Sequence, residues 1–269
     1  MILSIVLKSL KESIKPRRFL PFFLLYFIFC LSVLIFALPI LSVIPSMLSL
    51  QFTNAQIAIA MVNILGLMIV FAMVVLLNLW FSGALVYSLY KNKKFNASLQ
   101  YSQKLFWQMF ALSLTLLIFT GFTYLVKVFG TFLQAIVDIV FMFSLPILII
   151  KRSNFKVALV KSYSIVRKNL LRTFLFWVIM HIVNLAIIIL GIFFITLSSV
   201  TLLMNIMTLL PMMTELTTVT AVEVTQIVNL IVASYPTLIL IAAIGSFFMS
   251  LSHVFRYASR TFYFLKAKK

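Results

Sequence analysis

A single carboxylate lies deep inside a long apolar run of this chain. Asp138 stands about seven residues into residues 131–150, which places it roughly 10 Å below the end of that run if the run is helical. An ionisable side chain is costly in such surroundings, and where one is kept it commonly carries protons or ions or binds a ligand. Asp138 is therefore the first candidate for function.

Three other polar side chains are predicted to lie near this carboxylate. Gln134 precedes Asp138 by four residues and so falls on the same helical face. His181 lies about ten residues, or roughly 15 Å, into residues 171–201, counted from the opposite side, and Asn184 follows one turn later. Across an apolar layer about 30 Å thick these heights are similar. The sequence thus predicts a polar cluster between the two runs, formed by Asp138, Gln134, His181 and Asn184.

Two interpretations of this cluster remain open. In the first, Asp138 is part of a proton or ion relay, because a carboxylate that changes its protonation state can pass a charge through the apolar layer. In the second, the carboxyl is neutral and structural, hydrogen-bonded to Asn, Ser or Thr side chains or turned toward Lys127. The substitution Asp138→Asn separates them, since an amide keeps the size and the hydrogen bonds but cannot titrate.

Other chemistry has little support in the sequence. The chain has only four acids and two histidines, and Glu12, Glu215 and Glu223 are predicted outside the apolar runs, so no carboxylate pair converges. No Cys and His residues have metal-ligand spacing, no serine has a nucleophile-elbow context, and no Gly-rich phosphate loop is present. The sequence therefore predicts a protein that is not an enzyme and that has no metal site and no cofactor.

The elements that must position the cluster are membrane-spanning helices. Hydrophobic residues make up 64% of the 269 positions and charged residues 10%, which is too little polar surface for a soluble domain. Six apolar runs reach the roughly 20 residues that a spanning helix needs, and Pro146 is expected to kink the fourth near its inner end. The predicted spans are residues 19–44, 57–89, 106–127, 131–150, 171–201 and 227–254.

The distribution of charge predicts the orientation of these spans. With both termini in the cytoplasm, all but Lys127 of the 22 lysines and arginines fall on the inner side. The net charge of +18 is thereby explained by topology. We expect no binding to nucleic acid, because no separate basic domain or groove of aromatic and basic residues accompanies the charge. The expected location is the cell membrane, with several spans and cytoplasmic N- and C-termini.

A charged segment precedes the fifth span and is predicted to be an amphipathic helix lying at the membrane surface. In residues 155–168 the apolar side chains fall on one face and the cations on the other. Cations at such a surface attract anionic lipid headgroups by about 1 kcal/mol each. Residues 2–15 show a similar pattern. The predicted lipid-surface cations are Lys8, Lys11, Lys15, Lys156, Lys161, Arg167 and Lys168.

A similar amphipathic segment occurs elsewhere in the chain, which suggests an internal repeat. The skeleton Phe95-x3-Leu99-x2-Ser102-x3-Phe106 returns as Phe155-x3-Leu159-x2-Ser162-x3-Val166, and residues 3–14 keep the spacing without the serine. The predicted fold is therefore an all-α integral membrane protein with six transmembrane helices in three hairpins. Each hairpin follows a cytoplasmic-side amphipathic interfacial helix, in repeat units of about 1–90, 91–150 and 151–269 within one membrane domain. The alternative is that basic, weakly amphipathic inner loops are ordinary in such proteins.

Residues 95–110 (FNASLQYSQKLFWQMF) and 155–174 (FKVALVKSYSIVRKNLLRTF) carry a family resemblance. They resemble a loose group of six-span proteins that includes the membrane domain attached to some glycerophosphodiester phosphodiesterases and the YciC-like envelope proteins. Ala158, Leu159, Ser162 and Asn169 fit the start of a hairpin in that group. The resemblance implies a non-enzymatic envelope protein, a scaffold or lipid-interacting partner, with no catalytic residues to carry over.

A second resemblance competes with the first. Residues 1–28 are similar to the start of ABC-2-type exporter permeases, which also open with an interfacial helix and have six spans. The chain departs from them between spans 2 and 3, where YKNKKFNASLQYSQK contains no acidic coupling segment. As such a permease, the protein would need a separate ATPase partner. Lipid bilayer, anionic headgroups and a membrane or ATPase partner subunit are thus the expected partners.

Overall fold

The fold was obtained as a computed structural model that describes residues 1–48, 53–125, 129–209 and 229–267. It is 93% helical, and the described residues form no strand. The helices are α1 (Ile2–Ser13), α2 (Pro16–Leu48), α3 (Asn54–Lys91), α4 (Phe95–Gln103), α5 (Phe106–Leu125), α6 (Gly130–Phe141), α7 (Ser144–Lys151), α8 (Phe155–Lys168), α9 (Leu170–Leu209) and α10 (Tyr235–Ala267).

Six helical stretches are long and apolar enough to cross a membrane, so the predicted all-α protein with six apolar spans is confirmed. They are Pro16–Ile44, Asn54–Lys91, Phe106–Leu125, Gly130–Lys151, Leu170–Val200 and Tyr235–Ala267. The largest difference from the prediction is the last one, which was expected to end near residue 254. The helix continues because no proline or glycine follows Gly245, and because its far end buries Phe255, Ala258 and Phe264.

The fourth span is interrupted where the sequence predicts a kink. It consists of α6 and α7, separated at residues 142–143. Pro146 has no backbone N–H, so the carbonyl of Met142 loses its helical partner. At the break between α6 and α7, the Phe143 N–H donates to Ser162 Oγ of α8, at 3.3 Å. The same hydroxyl donates to the Val140 carbonyl at 2.7 Å, so α8 bridges the interruption.

The two copies of the Phe-Leu-Ser skeleton also share backbone features, 60 residues apart. The preceding helices end at Lys91 and Lys151, and the next residues, Asn92 and Arg152, have left-handed φ values of 52° and 49°. The two skeleton serines make equivalent contacts. Ser102 Oγ donates to the Trp80 carbonyl at 3.3 Å, as Ser162 Oγ does to that of Val140, each 22 residues earlier in the chain.

The chain divides into two compact units. Unit 1 comprises Met1–Phe22, Leu76–Ile188 and Ser250–Lys269; unit 2 comprises Phe23–Val75 and Ile189–Met249. Residues 1–90 and 151–269 each contribute to both units, and the repeat units stay a prediction. All 22 lysines and arginines fall within the ranges of unit 1, and those of unit 2 contain none.

The core of unit 1 is built around α7 and the end of α10. Phe143 and Ile147 are completely buried, and α7 packs against α5 and α8. The ring of Tyr263 stacks between those of Phe143 and Phe176, with centroid distances of 5.4 Å and 4.2 Å. This aromatic stack ties α10 to α7 and α9 one turn beyond Arg260, and so fixes where that arginine lies.

Unit 2 contains close helix contacts that need glycine. A Cβ added at Gly191 of α9 would lie 2.8 Å from the Cβ of Phe248 on α10. The rings of Phe194 and Phe248 stack at 5.8 Å just beside this point. Small residues that allow such an approach are typical of helix pairs in membranes.

Candidate functional site

Asp138 forms an ion pair with an arginine from the last helix. Arg260 Nη2 donates to both carboxylate oxygens, at 2.7 Å to Oδ1 and 2.9 Å to Oδ2. The arginine side chain is 12% exposed and that of Asp138 is 34% exposed. Because the pair is partly withdrawn from water, each charge depends on the other for its stabilisation.

Two residues of α9 complete the surroundings of the carboxylate. Trp177 Nε1 donates to Asp138 Oδ2 at 2.8 Å, and His181 Nε2 lies 3.6 Å from the same oxygen. His181 Nδ1 is 2.9 Å from the Trp177 carbonyl, and the two rings are 4.1 Å apart. A carbonyl only accepts, so Nδ1 carries the hydrogen of this contact.

These side chains line a cavity of about 440 Å³ between α5, α6, α9 and α10. Along α6 the cavity extends from Asp138 to Thr131 in the first turn, about 10 Å at 1.5 Å per residue. Its lining is mixed. The polar members are Thr120, Thr131, Gln134, Asp138, Trp177, His181, Arg256 and Arg260.

The structure brings together three of the four residues of the predicted cluster. Asp138, Gln134 and His181 line the same cavity. Asn184 does not line it, and its Oδ1 accepts a hydrogen bond from Ser252 Oγ at 2.7 Å. The reason is height along α9: Asp138 lies opposite Trp177, which precedes Asn184 by seven residues, or about 10 Å.

Among the described residues, the partners of Asp138 differ from those that the sequence predicts. The sequence favoured Asn, Ser or Thr, or Lys127, and the observed partners are Arg260 and Trp177. Lys127 lies outside the described residues. Arg260 was missed because Arg256 and Arg260 were counted as charges beyond the last span. Their spacing of four residues, in a stretch without helix breakers, was the signal that both project from one face of a continuing helix.

Arg256 is the unbalanced charge of the cavity. It lies one turn before Arg260, and within the described ranges no carboxylate comes within ion-pair distance of it. Its Nε is buried and has no hydrogen-bond partner there, and its guanidinium lies 5.6 Å from the ring centroid of Tyr257. With Asp138 matched by Arg260, the cavity keeps one positive charge.

A second buried polar pair in unit 1 also escaped the sequence analysis. Ser82 Oγ lies 2.9 Å from His253 Nε2 and donates to the Asn78 carbonyl at 2.7 Å. The ring of Phe22 packs on the imidazole at 4.7 Å. Ser82 and His253 are both buried and do not line the cavity around Asp138. Among the described residues, no group of three His, Cys, Asp or Glu side chains could hold a metal ion.

The predicted lipid-surface cations lie on α1, α8 and the turn after α1. Six of the seven are exposed, and only Lys15 is partly buried, with its Nζ 2.6 Å from Glu12 Oε1. Glu12 also pairs with Arg18. On α8 the face that packs on the protein contains Ala158, Ser162 and Val166. The exposed members are Lys8, Lys11, Lys156, Lys161, Arg167 and Lys168.

The chain matches no protein-family model, no curated protein and no solved structure. The resemblances to the six-span envelope group and to exporter permeases therefore stay predictions. What the protein does has to be argued from its helices, its charges and its cavity.

Proposed function

We propose that the protein is a non-enzymatic, multi-pass membrane protein whose cytoplasmic face binds anionic lipid headgroups. One observation carries this proposal: every lysine and arginine falls within unit 1, and the ranges of unit 2 contain none. A chain inserted by the positive-inside rule places the basic segments of this unit, Lys127 apart, at the cytoplasmic side. The inner leaflet is the anionic one, so the cations and the lipid charge then face each other.

The exposed side of α8 suits this position. Val160 is 67% exposed and Tyr163 is 49% exposed, and both alternate along the helix with the exposed cations Lys156, Lys161 and Arg167. A helix that packs one face on the protein and leaves both cations and apolar side chains outside can contact headgroups and acyl chains together. The packed face includes Ser162, whose hydroxyl donates to the Val140 carbonyl of α6. This hydrogen bond would hold the exposed face of α8 in a fixed position on the protein.

The N-terminal helix supports the same function. Leu3, Leu7 and Ile14 are exposed and recur at helical spacing, while Ile5 and Val6 face the protein. The ion pairs of Glu12 with Lys15 and Arg18 hold the end of α1. Arg18 Nη2 also donates to the Ser88 carbonyl at 3.4 Å, which attaches this end to α3. The exposed apolar row is therefore presented by an anchored helix.

Reconstituted protein tests the proposal. In bilayers that contain phosphatidylglycerol, amide hydrogen exchange of residues 155–168 should be slower than in bilayers of phosphatidylcholine alone. Replacing Lys156, Lys161, Arg167 and Lys168 with Gln should remove the difference, and so should high salt. The matched control replaces the three lysines with Arg, which keeps the charge and should keep the protection.

Two results would contradict the proposal. One is equal exchange of wild-type α8 in both lipids at low salt. The other is purification in gentle detergent with a stoichiometric nucleotide-binding partner, which would favour the permease.

A further inference from the structure

We propose that the cavity around Arg256 binds the phosphate headgroup of one lipid molecule, and that an acyl chain of this lipid lies in the adjacent apolar groove. The polar cavity is separate from the cationic surface of α8, since no residue of α8 lines it, and the groove meets α8 only at the buried Val166. It would hold a single lipid tightly, in contrast to the loose attraction of the cationic face. Either proposal can therefore fail without the other.

The first argument is charge. Arg256 lines the cavity without a carboxylate partner among the described residues, and because its Nε is buried, the Nη atoms are the ones that can face a ligand. Asp138 is already engaged by Arg260 and Trp177 and cannot serve as its counter-charge. A partly buried guanidinium is stabilised by an anion, and phosphate matches its geometry with two parallel hydrogen bonds. One anionic group bound in the cavity would therefore balance the charge of Arg256.

The second argument is the groove beside it. A groove of about 630 Å³ lies between α6, the end of α8 and the start of α9, and apolar side chains line it throughout. Ile136, Ile139, Val166 and Phe174 are among them. Of these, Ile136 and Phe174 are substantially exposed, as expected for a surface that lipid chains cover.

The third argument is that the two spaces share a wall. Trp177 and Ala135 line both the polar cavity and the apolar groove. The indole N–H of Trp177 points to Asp138, and its ring faces the groove, so one side chain marks the boundary between polar and apolar surroundings. A molecule with an anionic head and an apolar chain fits this arrangement, and the Gln134 amide can donate to the same head.

Binding of phosphatidic acid to the purified, delipidated protein tests the proposal. Native mass spectrometry and thermal shift should show one lipid bound per chain, with stabilisation that saturates. Arg256→Gln should weaken binding at least tenfold. Lys266→Gln removes a cation from an exposed position on the same helix, outside the cavity, and should leave the affinity unchanged. The α8 variant with four Gln residues should also keep the site.

Further measurements test the contributions of the headgroup and of the acyl chain separately. Ile136→Trp fills the groove without touching the cavity, and should weaken phosphatidic acid binding but not the weak binding of inorganic phosphate. Equal stabilisation by inorganic phosphate and by the lipid would overturn the proposal, since the groove would then contribute nothing. If Arg256→Gln does not fold, the wild type still decides: no saturable stabilisation by phosphatidic acid contradicts a built site.

Discussion

Asp138 and Arg260 form a pair that is complete before any ligand arrives. The carboxylate accepts hydrogen bonds from Arg260 and Trp177, and His181 Nε2 lies 3.6 Å from Asp138 Oδ2. A carboxylate held in this way is matched by a fixed cation, which favours a structural role over a relay. Arg256, one turn earlier on α10, lines the same cavity and has no carboxylate partner among the described residues, so it can bind an anionic ligand.

The first prediction concerns the pair itself. Asp138→Asn removes the charge opposite Arg260, and we expect the free energy of unfolding in mixed micelles to fall by about 1–3 kcal/mol. Adding Arg260→Gln should recover part of this loss, because the stranded cation is removed as well. As a control, Asp138→Asn and Lys266→Gln should be additive within about 0.5 kcal/mol. Additive losses for Asp138 and Arg260 would show that the ion pair is not formed.

The second prediction separates structure from transport at the same residue. If Asp138 acted as a relay, the Asn variant would be stable and expressed but would lack activity. The sequence favoured a neutral carboxyl that an amide could replace, whereas the structure places Arg260 against it. We therefore expect stability to fall in the Asn variant, and a growth phenotype to follow only in proportion to the folded protein. Expression, thermal midpoint and growth of the Asp138→Asn and Asp138→Leu variants distinguish a structural role from a relay. The Leu variant should be the less stable one, because it also leaves the Trp177 N–H without an acceptor.

At the scale of elements, α8 is the brace of the interrupted fourth span. Its Ser162 hydroxyl donates to the Val140 carbonyl and accepts from the Phe143 N–H at the point where Pro146 breaks the ladder. The equivalent Ser102 of α4 contacts the uninterrupted α3. The serine of the second copy therefore contributes more to stability than that of the first. Only Ser162 also accepts a hydrogen bond from a backbone N–H at a helix break.

The third prediction follows from this brace. Ser162→Ala leaves the buried Phe143 N–H and Val140 carbonyl without their partner, and should cost about 1–2 kcal/mol of unfolding free energy. Ser164→Ala is the matched control, since Ser164 is in the same helix, is only partly buried and makes no side-chain hydrogen bond within the described ranges. It should change stability by less than about 0.5 kcal/mol. Equal effects at the two serines would contradict the brace.

The six spans and the kink at Pro146 could be predicted because hydropathy and a missing N–H are local properties of the chain. The ion pair could not, because it joins residues 122 positions apart and depends on how α6 and α10 pack. Arg260 was misplaced for a related reason: a positive charge was taken as the end of a span, although a helix continues until something breaks it. Asn184 shows the remaining error, since counting residues misplaces its height along α9 by about two turns.

At the scale of the whole molecule, one feature orders the rest. The chain concentrates its positive charge in unit 1 and leaves unit 2 without a lysine or arginine. By the positive-inside rule this asymmetry predicts the orientation of the chain, with the exposed cations of α1 and α8 at the leaflet that attracts them. We therefore expect the cationic helices α1 and α8 to lie on the cytoplasmic side of the membrane.

Cysteine accessibility in whole cells tests this claim most directly. In a Cys30→Ser background, one variant carries Thr53→Cys, in the connection between α2 and α3, and the other carries Lys161→Cys, on the exposed side of α8. A membrane-impermeant maleimide should label the Thr53→Cys variant in intact cells, and the Lys161→Cys variant only after the cells are opened. Labelling of Lys161→Cys in intact cells, with Thr53→Cys protected, would contradict the account.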